Sequence, residues 1–472
     1  MKLSLKKCVS VAVISVLSVT TAYAASEKDS SVTLIKGARI FDGVADKLIE
    51  GKDVLIENGK IKSVGSRISV PNDVYVIDAA GRVMTPGFTD VHYHLSLCSV
   101  PVMDMAGSNA PDLDYIGIQA GLEAERLLMR GFTSIRDVGG ASWGAKLAAD
   151  RGEIAGPRVW PSLRAISQFG GHGDANPRFM EPKVFGGPEN NLERLQYSRI
   201  VNGRDEVLVA ARANLKRGAS QIKMHLAGGV GTEFDPIDGR QFTADEIKAA
   251  VEVAEGFGTY VTAHVYTPDG IKQAIENGVK SIEHGNLITP EIAKMMADND
   301  VWLSPQVVVY LTFSPDLGEV RLAKGRLVEK GLDSMFKLAK EYDLNIAFGT
   351  DVVVNPQACE DQNREFVERT KWFTPAEVLK QATSLSGQLL QLSGDRSPYP
   401  GKIGVIEEGA FADLLLIEGN PLKDISILKA MGLKTHNPNS QDRSVSLMLS
   451  KFHFRNAQCS TTQGNHMEWL CN

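Results

Sequence analysis

"TAHVYTPDGIKQAIENGVKSIEHG", residues 262–285, reads as the end of one strand, a helix and a second strand. The strand candidate 259–265 runs into it and finishes near His264. Thr267-Pro268 opens the helix, Ile271, Ala274 and Ile275 form its apolar stripe, and Gly278 closes it. The next strand candidate, 279–284, finishes at His284. Short buried-type runs recur in this way at 87–94, 131–137, 157–166, 219–226, 259–265, 279–284, 301–307 and 344–351, with helical patterns between them. Thr243-Ala-Asp-Glu246 and Thr374-Pro-Ala-Glu377 both fit a capping box. Eight such units point to an α/β fold, a closed parallel (β/α)8 TIM-type barrel with its working groups at the C-terminal strand ends. An open doubly wound sheet is the structural alternative, which periodicity does not exclude. No G-x-G-x-x-G opens the first helix, which weakens a dinucleotide-binding reading.

The flanks differ. Residues 32–84 read as short alternating strands, with Asn58-Gly59 a hairpin signal. Segments 401–422 and 443–457 look the same. The first 24 residues carry Lys2, Lys6 and Lys7, an apolar stretch from Val9 to Val19, and Ala22-Tyr23-Ala24 before Ala25. This is the pattern of a cleaved signal peptide, and it predicts an exported, soluble protein. No later run approaches the ~20 apolar residues of a membrane span. Of the chain's 472 residues 43% are hydrophobic and 23% charged, an ordinary globular balance. A net charge of −6 gives no reason to expect nucleic acid as a partner. Cleavage would leave Cys98, Cys359, Cys459 and Cys471, which permit two disulfides in an oxidising compartment. Four cysteines allow three connectivities, and spacing alone does not choose.

Metal-competent residues fall at the strand ends. "FTDVHYHLSLC" (88–98) places His92 and His94 on one face of a strand. Lys223 and His225 lie near the end of 219–226, His264 and His284 close the two strands of the opening stretch, and Asp351 ends 344–351. A lone histidine at a strand end is usually just a hydrogen-bonded residue. Four of them and an aspartate on one barrel rim are what a divalent ion such as zinc requires. Lys223 is the odd member, since an ammonium repels a metal. Its ordinary role is a salt bridge; its functional one is a carbamate formed with carbon dioxide, offering two oxygens to two metals.

With these residues the chain resembles the amidohydrolase superfamily, most of all its metal-dependent carboxypeptidase and prolidase-like branch. The motifs are "PGFTDVHYHL", "GFTSIRDVGG", "ISQFGGHGD", "QIKMHLAGGV", the opening stretch, "FGTD" and "GVIEEGAFADLLLIEGNPL", spread over residues 32 to 457. The resemblance implies a signal peptide (1–24), a small β-sandwich built from 25–85 and 401–457, a metal-bearing barrel (86–400) and a tail (458–472). It implies that His92 and His94 bind the more buried metal with Asp351, that His264 and His284 bind a second, and that a carboxylated Lys223 bridges the two. Zinc is the usual metal. A metal-activated hydroxide would be the nucleophile, with Asp351 as general base and then acid. Tyr266 would bind the carbonyl oxygen or the substrate carboxylate. His172 in "GGHGD" would bind that carboxylate or stabilise charge, unless it merely belongs to a turn built on its glycines. His225 stands outside the ligand pattern, as a pocket-lining or supporting residue. His436, His453 and His466 read as structural or surface residues. Strands one and eight are neighbours in a closed barrel, which suggests a Cys98–Cys359 bridge and leaves Cys459–Cys471 to pin the tail.

Two departures bear on substrate. The stretch 177–199 is a long loop over the barrel mouth, and 352–364 lacks a histidine- and glycine-containing segment typical of the branch. The expected activity is hydrolysis of an amide bond next to a free carboxylate, in a dipeptide of Xaa-Arg, Xaa-Lys or Xaa-Pro type. Rivals are an N-acyl amino acid amidase of ochratoxin type and a catalytically inactive periplasmic metal- or peptide-binding barrel. A hydrolase similar to imidazolonepropionase fits less well, because it does not need Lys223. Glu360 and Asp361 read as surface charge, the alternative being attraction of a cationic substrate side chain. The expected partner is a small molecule or dipeptide, with no nucleic acid and no membrane once the signal is cleaved; the expected location is the periplasm. Whether the protein is a homo-oligomer the sequence does not decide.

Overall fold

Strands whose residues are buried on both faces form the centre of the molecule, the pattern of parallel sheets covered by helices. A computed structural model describes residues 32–431, except 99, 314, 354 and 355, together with 447–449. Phe88–Tyr93, Phe132–Asp137 and Arg158–Pro161 pair in parallel as a three-stranded sheet. A second parallel sheet has six strands in the order Ser198–Ile200, Ala165–Ser167, Ile222–His225, Val261–Val265, Ser281–His284 and Trp302–Ser304. Helices such as Arg204–Lys216, Ala244–Gly256 and Pro290–Asp298 connect the strands. Helix Pro268–Glu276 starts with proline in its first turn and buries Ile271, Ala274 and Ile275 as the pattern required. Both capping boxes form, at Thr243 and Thr374.

Backbone hydrogen bonds run between the sheets. Ser220 N, just before Ile222–His225, donates to Pro161 O (2.7 Å). On the far side, Ala347 N donates to Leu303 O (3.0 Å), Val91 N to Phe348 O (2.8 Å) and Asp351 N to His92 O (2.8 Å). The segment 345–351 thus lies between Trp302–Ser304 and Phe88–Tyr93.

Three expectations need correction. Candidate 344–351 is not a ladder strand; its one bridge is Ile346 to Leu303, and left-handed backbone at Asp343 (φ 50°) and Asp351 (φ 49°) bounds an irregular run. Candidate 157–166 is two strands, broken where Leu163 takes φ 60°. The supposed loop 177–199 contains helix Asn191–Arg194, capped by the Asn190 side chain accepting from Glu193 N, and enters strand Ser198–Ile200.

Two four-stranded sheets are built from the chain's ends. One is ordered Lys60–Gly65, Asp53–Glu57, Val32–Lys36, Tyr75–Asp78; the other Leu447–Leu449, Leu414–Ile417, Val83–Pro86, Arg39–Ile40. Asn58 (φ 52°) and Gly59 (φ 71°) make the hairpin turn. Ile35, Val54 and Ile77 of the first sheet share an apolar core with Met84, Leu414 and Leu416 of the second.

Cys98 and Cys359 are disulfide-bonded and buried, joining the turn after Phe88–Tyr93 to helix Pro356–Glu360. No helix among the described residues is long and apolar enough to cross a membrane. The expected signal peptide 1–24, Cys459, Cys471, His436, His453, His466 and the tail 458–472 lie outside the described residues.

Candidate metal centre

Strand alternation puts His92 and His94 on one side, and each reaches the same oxygen. His92 Nε2 and His94 Nε2 both lie 3.4 Å from Asp351 Oδ1. The far nitrogen of each ring faces an acceptor. His94 Nδ1 is 2.8 Å from Gly139 O, and His92 Nδ1 is 2.8 Å from Glu283 Oε2. A ring nitrogen hydrogen-bonded on its outer side presents a lone pair on its inner side, the usual orientation for a metal ligand.

The second pair is built the same way. His284 Nδ1 lies 2.7 Å from Gln306 Oε1 and 2.9 Å from Tyr310 Oη, leaving Nε2 directed inward. His264 Nε2 approaches Gly228 O at 3.4 Å, leaving Nδ1 inward. Nε2 of His284 and Nδ1 of His264 are then 2.7 Å apart. Donor atoms of His92, His284 and Asp351 lie within 4.8 Å of one another, which ties the two pairs into one cluster.

Burial sets the protonation of the set. It pushes His92 down to about 4, with the Lys223 charge adding to the effect, and pushes His94, His264 and His284 well below the usual imidazole range. All four rings are neutral at pH 7, as metal ligands must be. Burial raises the Asp351 carboxyl, against the pull of Lys223. It lowers the Lys223 amine, against the pull of Glu283 and Asp351. No hydrogen bond or ion pair holds the buried Lys223 ammonium among the described residues, and the neutral amine is the form that reacts with carbon dioxide. This donor set fits divalent ions of the zinc type.

Two backbone kinks position the cluster. His284 (φ 77°) and Asp351 (φ 49°) are non-glycine residues in left-handed conformation, which costs roughly 1–2 kcal/mol each. Normal alternation would turn Glu283 and His284 to opposite faces. The kink lets Glu283 touch His92 while His284 faces His264.

Tyr266 stacks on His284 at 4.7 Å between centroids, and His172 stacks on His264 at 4.2 Å. His172 Nδ1 is held by Thr232 Oγ1 (2.9 Å) and Asp235 Oδ2 (3.1 Å). His225 packs beside both, 4.9 Å from His172 and 5.4 Å from His264. All nine residues singled out for the site, His225 included, line one cavity of about 270 Å³. Leu97, Met103, Leu192, Val309, Phe313 and Val353 form its apolar wall. Glu360 and Asp361 do not line it.

The supporting residues escaped the sequence reading. Glu283 is fully buried; burial alone would raise its carboxyl, but the Arg136 guanidinium, with His92, holds it well below the usual range. Arg136 Nη2 is 2.5 Å from Glu283, and Nε donates to Val91 O at 2.6 Å. A carboxylate and a guanidinium inside apolar strands ("SIEHG", "FTSIRD") were a readable signal that each needs a buried partner. Gln306 and Tyr310 gave no such signal, because Gln306 lies in irregular backbone just past strand Trp302–Ser304 and Tyr310 in the short helix Val308–Leu311 beyond it.

A profile described as the Amidohydrolase family matches residues 83–448. Ochratoxinase from Aspergillus niger is 30% identical over 427 residues, covering 87% of this chain and 86% of its own. A crystal structure of a prolidase complexed with N-methylphosphonate-L-proline superposes with a TM-score of 0.78 at 31% identity, covering 89% of this chain and 98% of that one. A Xaa-Pro dipeptidase with methionine bound in its active site gives 0.71 at 29% identity, covering 84% and 97%.

Proposed function

The chain belongs to the amidohydrolase family and hydrolyses amide or peptide bonds, and from that premise we propose a binuclear metallohydrolase that cuts an amide bond beside a free carboxylate. A dipeptide of Xaa-Arg, Xaa-Lys or Xaa-Pro type is the first substrate reading. The observation that carries it is the convergence of inward-facing nitrogens and the Asp351 carboxylate around an unpaired buried lysine. In this reading the parallel strands form a closed (β/α)8 barrel and the terminal sheets a small β-sandwich. The hydrogen bonds of 345–351 to both neighbouring strands, and the core shared by the terminal sheets, support it. Residues 1–24 act as an export signal, placing the enzyme in the periplasm.

His92, His94 and Asp351 would hold one ion, His264 Nδ1 and His284 Nε2 the other, and a carboxylated Lys223 both. Two bound ions, zinc in this reading, would lower the pKa of a water to around 7 and polarise the scissile carbonyl. Asp351 takes the water's proton and passes it to the leaving amine. Tyr266, fixed over the His284 ring, donates its phenol to the carbonyl oxygen as charge develops there. His172, fixed by Asp235 and Thr232, faces the substrate's carboxylate.

A second reading, an N-acyl amino acid amidase of ochratoxin type, is favoured by the cavity wall. Apolar side chains, Leu97, Leu192, Val309 and Phe313 among them, make up much of it, and Asp174, an acid on the same wall, already accepts from the Gly170 and Asn176 amides. An apolar substrate side chain there gains about 25 cal/mol per Å² buried.

Steady-state hydrolysis of a dipeptide panel, extended to N-acyl amino acids, tests these readings on protein loaded with zinc and bicarbonate. Lys223→Ala serves as control. Turnover of dipeptides that vanishes in the control supports the first reading; turnover of N-acyl substrates alone moves the function to the amidase. Metal binding without any turnover leaves an inactive binding barrel.

A further inference from the structure

Among the described residues two cationic side chains line the cavity, Lys223 at its floor and Arg321 at its rim. We propose that Arg321 is the specificity-determining residue that reads the substrate's free carboxylate, an inference that rests on the proposed amide hydrolysis. Arg321 stands in helix Glu319–Glu341, with its side chain 20% exposed. Its Nε donates to Gly231 O (3.2 Å) and its Nη1 to Leu317 O (3.1 Å), so the Gly231 loop and the 3-10 turn Pro315–Leu317 just before its own helix hold the guanidinium in place. Among the described residues Nη2 has only Glu233, at 3.9 Å, which is beyond hydrogen-bond distance. Three of the five N–H donors are therefore uncommitted on a side chain that is already oriented.

The next cation along the helix shows the contrast. Lys324, one turn on, is consumed by Gly229 O (3.1 Å), Thr232 O (2.9 Å) and both the backbone and carboxylate of Asp235, and it does not line the cavity. It fixes the loop; Arg321 remains available to a ligand. His172 lies just across Gly231, where a Cβ would come 4.0 Å from His172 Cε1. A carboxylate between Arg321 and His172 would project its amide toward His264, on which His172 is stacked. A planar guanidinium with a free edge matches the two oxygens of a carboxylate, which a neutral carboxamide does not.

The test uses the fastest-cleaved substrate of the panel and its C-terminal carboxamide, with parent, Arg321→Gln, Arg321→Lys and, as control, Arg326→Gln on the exposed side of the same helix. The parent should prefer the free acid. Arg321→Gln should lower kcat/KM for the acid at least about tenfold, mainly through KM, while the carboxamide changes by less than about threefold. Arg321→Lys should recover part of the preference, and Arg326→Gln should match the parent. Equal loss on acid and carboxamide in Arg321→Gln, or no loss on either, overturns the assignment while leaving amide hydrolysis intact. A parent that cleaves no member of the panel overturns both.

Discussion

Glu283→Gln separates the two tasks of one buried carboxylate. Glu283 neutralises Arg136, which is fully buried and whose other partners are neutral: Val91 O (2.6 Å), Tyr260 Oη (2.9 Å) and Ser281 Oγ (3.3 Å). An isosteric amide keeps the volume but strands the guanidinium in a medium where an unpaired charge costs about 3–5 kcal/mol. The same oxygen pair also faces His92 Nδ1 at 2.8 Å, and removing such an outer partner weakens metal affinity by roughly 10–100-fold. The double variant Arg136→Met/Glu283→Met removes both charges and should be more stable than Glu283→Gln alone, yet bind metal no better. Urea unfolding followed by tryptophan fluorescence reads the first effect, and zinc competition with a chelator reads the second. A Glu283→Gln protein as stable as the parent would refute the buried-charge argument. Restored zinc affinity in the double variant would refute the role assigned to Glu283 beside His92.

Three further outcomes follow from other parts of the molecule. A Cβ on Gly229 would fall 2.0 Å from His172 Cε1, so Gly229→Ala should displace that ring and raise KM while leaving bound zinc unchanged by elemental analysis. Converting Cys98 and Cys359 to serine should cost roughly 2–5 kcal/mol in urea unfolding, because the bridge restrains a long loop of the unfolded chain. Burial raises Asp137 to about 7 from 3.8. Folding therefore takes up a proton between those values, so its contribution to stability is full below about pH 4 and is lost as pH rises through 7. In metal-free protein the stability of the parent relative to Asp137→Asn should decline across that window; a flat difference would show that Asp137 is not protonated there.

The candidate ligands were legible because each is a polar residue, histidine, aspartate or lysine, near the end of an apolar run, a local pattern that a strand–helix repeat turns into a common rim. His92, His94, Lys223, His264, His284 and Asp351 all reached the cavity on that ground. What holds them was not legible. Arg136 and Glu283 lie 147 residues apart, and their pairing exists only once two strands face across the interior. Segment 344–351 was mistaken for a strand because its apolar composition is that of one; the left-handed turns at Asp343 and Asp351 are set by what packs around them. Arg321, on a helix of ordinary charged composition, is notable only in the fold, where Gly231 and Leu317 leave three of its five donors free.

The Cys98–Cys359 bridge also changes what a protease can do to this molecule. It closes 261 residues of separation into a covalent ring that contains Arg178 and Lys183. Beside them Phe179, Val184 and Phe185 are 80%, 78% and 74% exposed, so this is where trypsin should cut first. A single cut there opens the ring without dividing the protein: the fragment carrying His92 and His94 stays tied to the fragment carrying Asp351. Among foreign proteases, a nick becomes a scar rather than an amputation.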